Sequence, residues 1–361
     1  MLPKEVNLRF LKGLIMTNSF EQTPLVSVLI PSFNAERYIN QCIDSVINQT
    51  YKNIEIIICD DASVDNTSKI LNKYEAIDNR IKLTKNQNNL GYLRTFNKLL
   101  RMAEGDYITF LDSDDIMPSL RIEKQIQYLL SDSNIGLVGT NYGRITDNGK
   151  LYFKSDLPLK HDEIIQKIKQ EGEFPFCGSS VMIKKEIVGT IGGYREYFDQ
   201  CPGEDIDWIR RISEKYEVAN IEYLGYLYRF SLTSLTRRPQ FSIKARHIRE
   251  IIKFLANQRE ANNGIDDLMG NGKALKEFEK KLMLPYIKDP SMLYRKVSIE
   301  YSIQKVWSLS LKFSLIAIKK CPLKVKNYFS FILIFPLLIL PTPFLIRIKN
   351  FLGINHVSNK I

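Results

Sequence analysis

The chain has 361 residues, 44% of them hydrophobic and 25% charged, which fits a packed globular protein and excludes a disordered or fibrous one. Its formal net charge is +11, yet from Leu284 onward 12 Lys and Arg face only Asp289 and Glu300, a balance of +10. The remainder is close to neutral, which argues against a nucleic-acid partner, because such a partner requires basic residues spread over the folded domain.

Five scattered cysteines (Cys42, Cys59, Cys177, Cys201, Cys321) show no paired spacing and suit a reducing compartment without disulfides or a zinc site. With only three histidines, chemistry here leans on carboxylates.

Residues 1–24 read as an N-terminal arm. Met1 to Met16 carries Lys4, Glu5, Arg9 and Lys12 without the unbroken apolar core of a secretory signal, and Met16 is an alternative start. A domain is expected over 25–235. Up to Thr140 it alternates β-branched runs with amphipathic stretches, the pattern of parallel strands joined by crossover helices.

The expected strands are Leu25–Ile30, Ile54–Cys59, Ile81–Thr84, Tyr107–Leu111 and Ile135–Val138; the helices are Arg37–Asn48, Asp65–Tyr74, Tyr92–Ala103 and Leu120–Leu130. Asp65 reads as an N-cap and Gly105 as the close of the third helix. Beyond Gly143 a helix is expected at Asp162–Gln170, a strand or turn at Ser179–Ile183 and a helix from Glu204 to about Tyr216. Residues 236–322 read as a helical basic extension with a polar break at Asn262–Gly272.

In the last section, 323–361, Tyr328 to Ile346 contains no charge and is flanked by Lys319, Lys320, Lys324 and Lys326 before it and Arg347 and Lys349 after it. Pro336, Pro341 and Pro343 argue against a straight span, so an in-plane or re-entrant element on a membrane surface is expected. A buried hairpin or a dimer contact is the alternative.

Open parallel sheets bind ligands beyond the carboxyl ends of their strands. Those ends carry Pro31-Ser32-Phe33-Asn34, Asp60-Asp61 and Asp112-Ser113-Asp114-Asp115. Any one Asp could simply cap a helix; acids at successive strand ends point to a shared site. Asp112-Ser113-Asp114 at the end of an apolar strand offers hard oxygen ligands with no His or Cys nearby, which suits Mg2+ or Mn2+ and leaves positions for a substrate's phosphates.

The segments VSVLIPSFNAERYINQCIDSVINQTYKNIEIIICDDASVDNT and NLGYLRTFNKLLRMAEGDYITFLDSDD resemble the inverting family 2 glycosyltransferases of GT-A fold. The resemblance runs from about Leu25 to Asp115 and, more thinly, to about Ser234. It implies an open, mostly parallel, Rossmann-like α/β sheet with flanking helices, followed here by the helical, membrane-associating tail.

It also implies site roles. Pro31, Phe33 and Asn34 would lie beside a nucleoside, Asp60 or Asp61 would bond its base, and the Asn89-Leu90-Gly91 turn would belong to the donor site. Asp112 would contact the ribose or a metal-bound water, and Asp114 would ligate the metal. Cys177-Gly178-Ser179-Ser180 and the Glu204-Asp205 pair resemble the acceptor region, with Asp205 as general base. From the residues alone, Asp205 reads first as an N-terminal helix charge.

The chain departs from the family at Phe230-Ser231-Leu232, where a His is often seen, and at Phe96, where a basic residue often precedes Asn97. Arg94 either replaces that charge or is a solvated face residue. The implied activity is inverting transfer from a nucleotide-diphospho-sugar, UDP-linked by preference, to a glycan or lipid-linked glycan acceptor at the cytoplasmic face of a membrane. The alternative is a non-catalytic nucleotide-sugar-binding relative that partners a membrane glycan synthase.

Overall fold

Four apolar runs assemble into a parallel block in the order β3-β2-β1-β4: β1 (Val26–Ser32), β2 (Ile54–Asp60), β3 (Ile81–Lys85) and β4 (Tyr107–Phe110). The computed structural model describes residues 23–229 and 242–339. Every residue of β1, β2 and β4 is buried, which is why these strands read as continuous apolar runs without alternation.

The crossovers are α1 (Ile39–Ile47), α2 (Thr67–Ile77) and α3 (Tyr92–Met102). α1 shows the rule: Ile39, Cys42, Ile43 and Val46 recur at helical spacing and all are buried.

Beyond β4 and α4 (Arg121–Ser131) the sheet becomes mixed. β5 (Ile135–Ile145) runs well past the expected Val138, pairs antiparallel with β6 (Leu151–Lys154) and, after α5 (His161–Gln166), with the short β7 (Met182–Lys184). β7 is inserted antiparallel between β4 and β5. α6 (Lys185–Ile191) and α7 (Glu204–Ser213) lead to β8 (Glu217–Arg229), which lies parallel along β5. The parallel expectation therefore holds for the first half; the second half is mixed.

Apolar side chains cover both faces of the sheet, giving three layers. One cluster joins β1 and β2 to α1, α2 and α4 through Ile39, Ile43, Leu71 and Ile122. The other joins the opposite face to α3 and α7. There Phe96 stacks on Tyr194 with centroids 3.9 Å apart, and Trp208 meets both rings edge-on. Position 96 is thus a core aromatic.

Two local expectations are corrected. Asp65 does not cap α2: the cap position is Asn66, and Asp65 instead accepts from the Thr67 and Glu36 amides. Gly105 does not close α3, which ends at Met102; it sits where a Cβ would lie 2.7 Å from the Leu25 carbonyl and the Ser27 amide. Close approach of backbone to backbone, and not a left-handed turn, requires glycine there.

The C-terminal region is helical: α8 (Ile243–Arg246), α9 (Ile248–Ala261), α10 (Lys273–Lys288), α11 (Met292–Ile303), α12 (Trp307–Lys320) and α13 (Val325–Ile339). α8 and α9 bury Ala245, Ile248, Ile251 and Leu255 against the α7 side of the sheet. α11, α12 and α13 pack together, so the expected boundary at 322/323 falls between two helices of one bundle.

The uncharged stretch 328–346 begins inside α13, which continues through position 336 instead of breaking there. Its remainder, together with residues 1–22 of the N-terminal arm, both alternative starts, Phe230-Ser231-Leu232 and Ser234, lies outside the described residues. Among the described residues no helix is long and apolar enough to cross a membrane.

Candidate active site

The loops after β1 and β2 are tied to each other. Asn34 takes a left-handed conformation (φ +48°); its amide donates to Ser63 Oγ at 3.0 Å and its Oδ1 accepts from the Val64 amide at 2.9 Å. Pro31 is buried within β1, whereas Phe33 is 46% exposed at the rim.

Asp60 and Asp61 are both buried and both engaged. Burial alone would raise Asp60, but hydrogen bonds from Ser63 and Ser68 outweigh it and hold the carboxylate below its ordinary range. Asp61 accepts from Asn86 Nδ2 (2.7 Å) and from the amides of Leu90 (2.8 Å) and Gly91 (2.9 Å). The Asn89-Leu90-Gly91 turn is therefore held by Asp61. Asn89 adds a bond to the Gly91 amide, and Gly91 takes a φ of +83° that glycine permits.

Asp112, Asp114 and Asp115 follow β4. Burial raises Asp112, against hydrogen bonds from Ser179 (2.7 Å), Tyr226 and Tyr92 that hold it down. Asp114 is pushed up to about 6 by burial and then by the charge of Asp112. Asp115, which the sequence reading left without a role, is fully buried. It accepts from the Arg229 amide (2.7 Å) and the Tyr226 hydroxyl (2.6 Å), clamping the loop to β8.

The second carboxylate pair enters from the other half. Gly203 (φ +118°) precedes α7, and a Cβ on it would come 2.9 Å from Ile248 of α9. The close turn presents Glu204 and Asp205 at the N-terminus of α7. Asp205 Oδ1 accepts from the Ile206 amide at 2.8 Å. Its Oδ2 lies over Gly178, so close that a Cβ there would approach it to 2.3 Å.

Burial pushes both carboxyls up, Glu204 further because Asp205 adds to it; Asp112 raises both from across the cleft, while Arg249 on α9 pulls Asp205 back. The Arg249 Nε is buried without a hydrogen-bond partner. Tyr92 and Tyr194 sit between the two pairs, each feeling Asp112, Glu204 and Asp205.

Two buried side chains of α4 stitch the halves together. Arg121 donates to the carbonyls of Phe110 and Ser179, both at 3.1 Å, and to Thr109 Oγ1 at 2.7 Å; Gln125 reaches the carbonyls of Val138 and Ser180. The strand-end acids and the Cys177–Ser180 segment are thereby fixed against each other.

Pro31, Phe33, Asn34, Asp60, Asp61, Asn89, Gly91, Asp112 and Asp114 thus line successive strand-end loops, and Glu204 and Asp205 face Asp112 from α7. Arg94 pairs with Glu196 and Asp199, both at 3.0 Å, as a surface residue would. Arg229 donates to the carbonyls of Asp114 (2.9 Å) and Asp147 (2.7 Å) and to Gln41. Tyr92, Tyr194, Tyr226, Arg121 and Arg249 escaped the sequence reading. Only the adjacency of Tyr92 to Gly91 hinted at any of them.

Asp112 and Asp114 fit a hard divalent cation chemically: two carboxylates raised by burial, with the nearest guanidinium spent on a backbone carbonyl. Among the described residues no cluster of three or more His, Cys, Asp or Glu side chains forms a ready-made metal cage. A two-carboxylate site completed by a ligand's phosphate oxygens is the arrangement these residues allow.

Comparison with known proteins gives this geometry a family. The model described as "Glycosyl transferase family 2" matches residues 27–192. EpsE of Bacillus subtilis (strain 168), assigned as a glycosyltransferase, is 34% identical over 221 residues, covering 60% of this chain and 76% of its own. An uncharacterized glycosyltransferase, MJ1057 of Methanocaldococcus jannaschii, is 33% identical over 57% of this chain and 71% of its own.

WfgD of Escherichia coli, a UDP-Glc:alpha-D-GlcNAc-diphosphoundecaprenol beta-1,3-glucosyltransferase, is 45% identical over 34% of this chain and 48% of its own. Several other relatives are likewise matched over about half of their length. In fold the chain is similar to S. aureus TarS 1–349 in its complex with UDP-GlcNAc, with TM-score 0.51 and 16% identity, covering 85% of this chain and 89% of that one. With strand-end acids, an acid pair at α7 and relatives matched over most of their length, the chain belongs to glycosyl transferase family 2.

Proposed function

We propose that the protein transfers a sugar, hexosyl or N-acetylhexosaminyl, from a UDP-linked diphospho-sugar to a hydroxyl of a glycan or lipid-linked glycan acceptor, with inversion at the anomeric carbon. The observation that carries this reading is that Glu204 and Asp205, presented by α7, lie within electrostatic reach of Asp112 at the end of β4, which in turn raises Asp114. The E. coli relative's diphosphoundecaprenol-linked acceptor and the UDP-GlcNAc held by TarS supply the substrate classes.

Asp205 acts as the base. Anchored through Oδ1 to the Ile206 amide, it keeps Oδ2 for the acceptor hydroxyl. The hydroxyl proton passes to Asp205 as its oxygen bonds to the anomeric carbon, and the bond from that carbon to the diphosphate breaks on the opposite face. Burial keeps the Asp205 carboxyl above its ordinary range, closer to neutrality, where a general base is most effective. Glu204, raised further, stays protonated longer and spares the cleft a second negative charge.

Asp114, with Asp112, would hold Mg2+ or Mn2+, which supplies charge neutralisation to the departing diphosphate. The loops held by Asn34, Asp60 and Asp61 would frame the nucleoside, with Phe33 exposed at its edge.

Calorimetric titration with UDP and with UDP- and GDP-sugars, with and without Mn2+, tests the reading alongside Asp114→Ala. Metal-dependent binding of a uridine nucleotide that the substitution abolishes is expected. Absence of nucleotide binding in either condition sinks it.

A further inference from the structure

The last three helices are packed inside out. Where α11 meets α12 the seam is polar: Ser298 Oγ donates to the Ser310 carbonyl at 2.8 Å, and the hydroxyls of Ser302 and Ser310 lie 2.5 Å apart. On α13, Asn327 donates to the carbonyls of Ala317 (2.9 Å) and Cys321 (2.7 Å), and Ser314 and Ser330 are buried too. Val297, Ile303 and Ile334 are buried in the bundle, but a continuous set of large apolar side chains points the other way. Leu311 and Leu315 on α12, Leu323 in the turn, and Val325, Phe329 and Ile332 on α13 are between 41% and 97% exposed.

A helical bundle in water buries its apolar stripe and solvates its serines. Small residues and hydroxyl or amide bonds at the seams, with leucine and phenylalanine outside, are the solution for helices solvated by lipid, where burying apolar surface brings no gain.

The charge fits the same solvent. Lys312, Lys319, Lys320 and Lys326 are exposed around this face, and no Asp or Glu follows Glu300 anywhere in the sequence. A second copy meeting this face across a twofold axis would set lysines against lysines, and α12 and α13 carry no acid to pair them, whereas anionic headgroups complement them. With 14 residues, α12 is about 21 Å long, short of the roughly 30 Å hydrocarbon core, and the described part of α13, 15 residues, spans about 23 Å. The uncharged, apolar sequence continues from α13 to Ile346.

We propose that the outward face of α12 and α13 is a monotopic docking surface for anionic phospholipid, immersed to the acyl-chain boundary with its lysines at the headgroups. This goes beyond the transfer reaction and does not depend on the donor or base assignments.

The test is flotation of the full-length protein with vesicles of phosphatidylcholine alone or mixed with phosphatidylglycerol. The wild type should float with the mixed vesicles. Combining Lys319→Gln, Lys320→Gln and Lys326→Gln should weaken binding about a hundredfold, roughly fivefold for each lysine. Combining Leu311→Gln, Leu315→Gln, Phe329→Gln and Ile332→Gln should abolish flotation with an unchanged circular-dichroism melt, since all four side chains are exposed.

Brominated acyl chains should quench wild-type Trp307, which is 52% exposed at the start of α12, and spare the other tryptophan, the buried Trp208. The proposal is overturned by a wild type that stays unfloated, by an apolar variant that floats normally, or by unquenched Trp307. A wild-type dimer that the apolar variant converts to monomer would equally overturn it, because the face would then be a self-contact.

Discussion

In the proposed reaction Asp205 is the base, and its surroundings set its proton affinity. Glu204 beside it, Asp112 across the cleft and Arg249 from α9 are the charges that face it, and burial outweighs the guanidinium. Its carboxylate form works as base, so activity should rise with pH through a limb displaced above the ordinary carboxylate range. Arg249→Met removes a cation opposing that shift, so the acidic limb should move to still higher pH in a kcat profile; an unmoved limb would refute the assignment. Asp205→Asn should lower kcat by about 10²–10⁴ while leaving UDP affinity, measured by calorimetry, unchanged. Sequence alone could not separate this role from a helix-terminal charge, because the neighbours that decide it come from residues 112, 178 and 249.

At the scale of elements, the strands and helices of the first half were legible because each carries its own periodicity. What was misread were the punctuation residues. Asp65 and Gly105 match cap signals, yet each is held by distant backbone: Asp65 by the amide of Glu36, and Gly105 by the close approach of Leu25 and Ser27. Asp61 belongs to the same class. The resemblance implies that it or Asp60 bonds the base of a nucleoside; in the structure it also accepts from two amides at the head of α3. Asp61→Ala should leave those amides unpaired and destabilise the protein by about 1–3 kcal/mol in denaturant unfolding. If stability is unchanged and only nucleotide affinity falls, the carboxylate serves the ligand and not the turn.

For the whole molecule, the question is how the last three helices are held to α8 and α9, which pack on the sheet. Arg246 on α8 and Glu300 on α11 form a two-pronged pair, with bonds of 2.8 and 3.0 Å and both side chains only 5% exposed. Removing one partner strands a buried charge, so Arg246→Met should cost about 3–5 kcal/mol. Adding Glu300→Met should recover most of that loss in a double-mutant cycle of thermal or denaturant unfolding. Equal destabilisation by the single and double variants would show that the pair does not couple the two parts.

By itself the sequence determined the alternation of strand and helix, the placement of acids at strand ends, the family and the asymmetry of charge, since all of these are local patterns along the chain. Only the tertiary structure decided which acids meet, that β7 enters antiparallel, that Arg121 and Gln125 stitch the two halves, and that the C-terminal helices turn their serines inward. Each of those depends on contacts between residues far apart in the chain, and no periodicity along a single segment records what a side chain will face after folding.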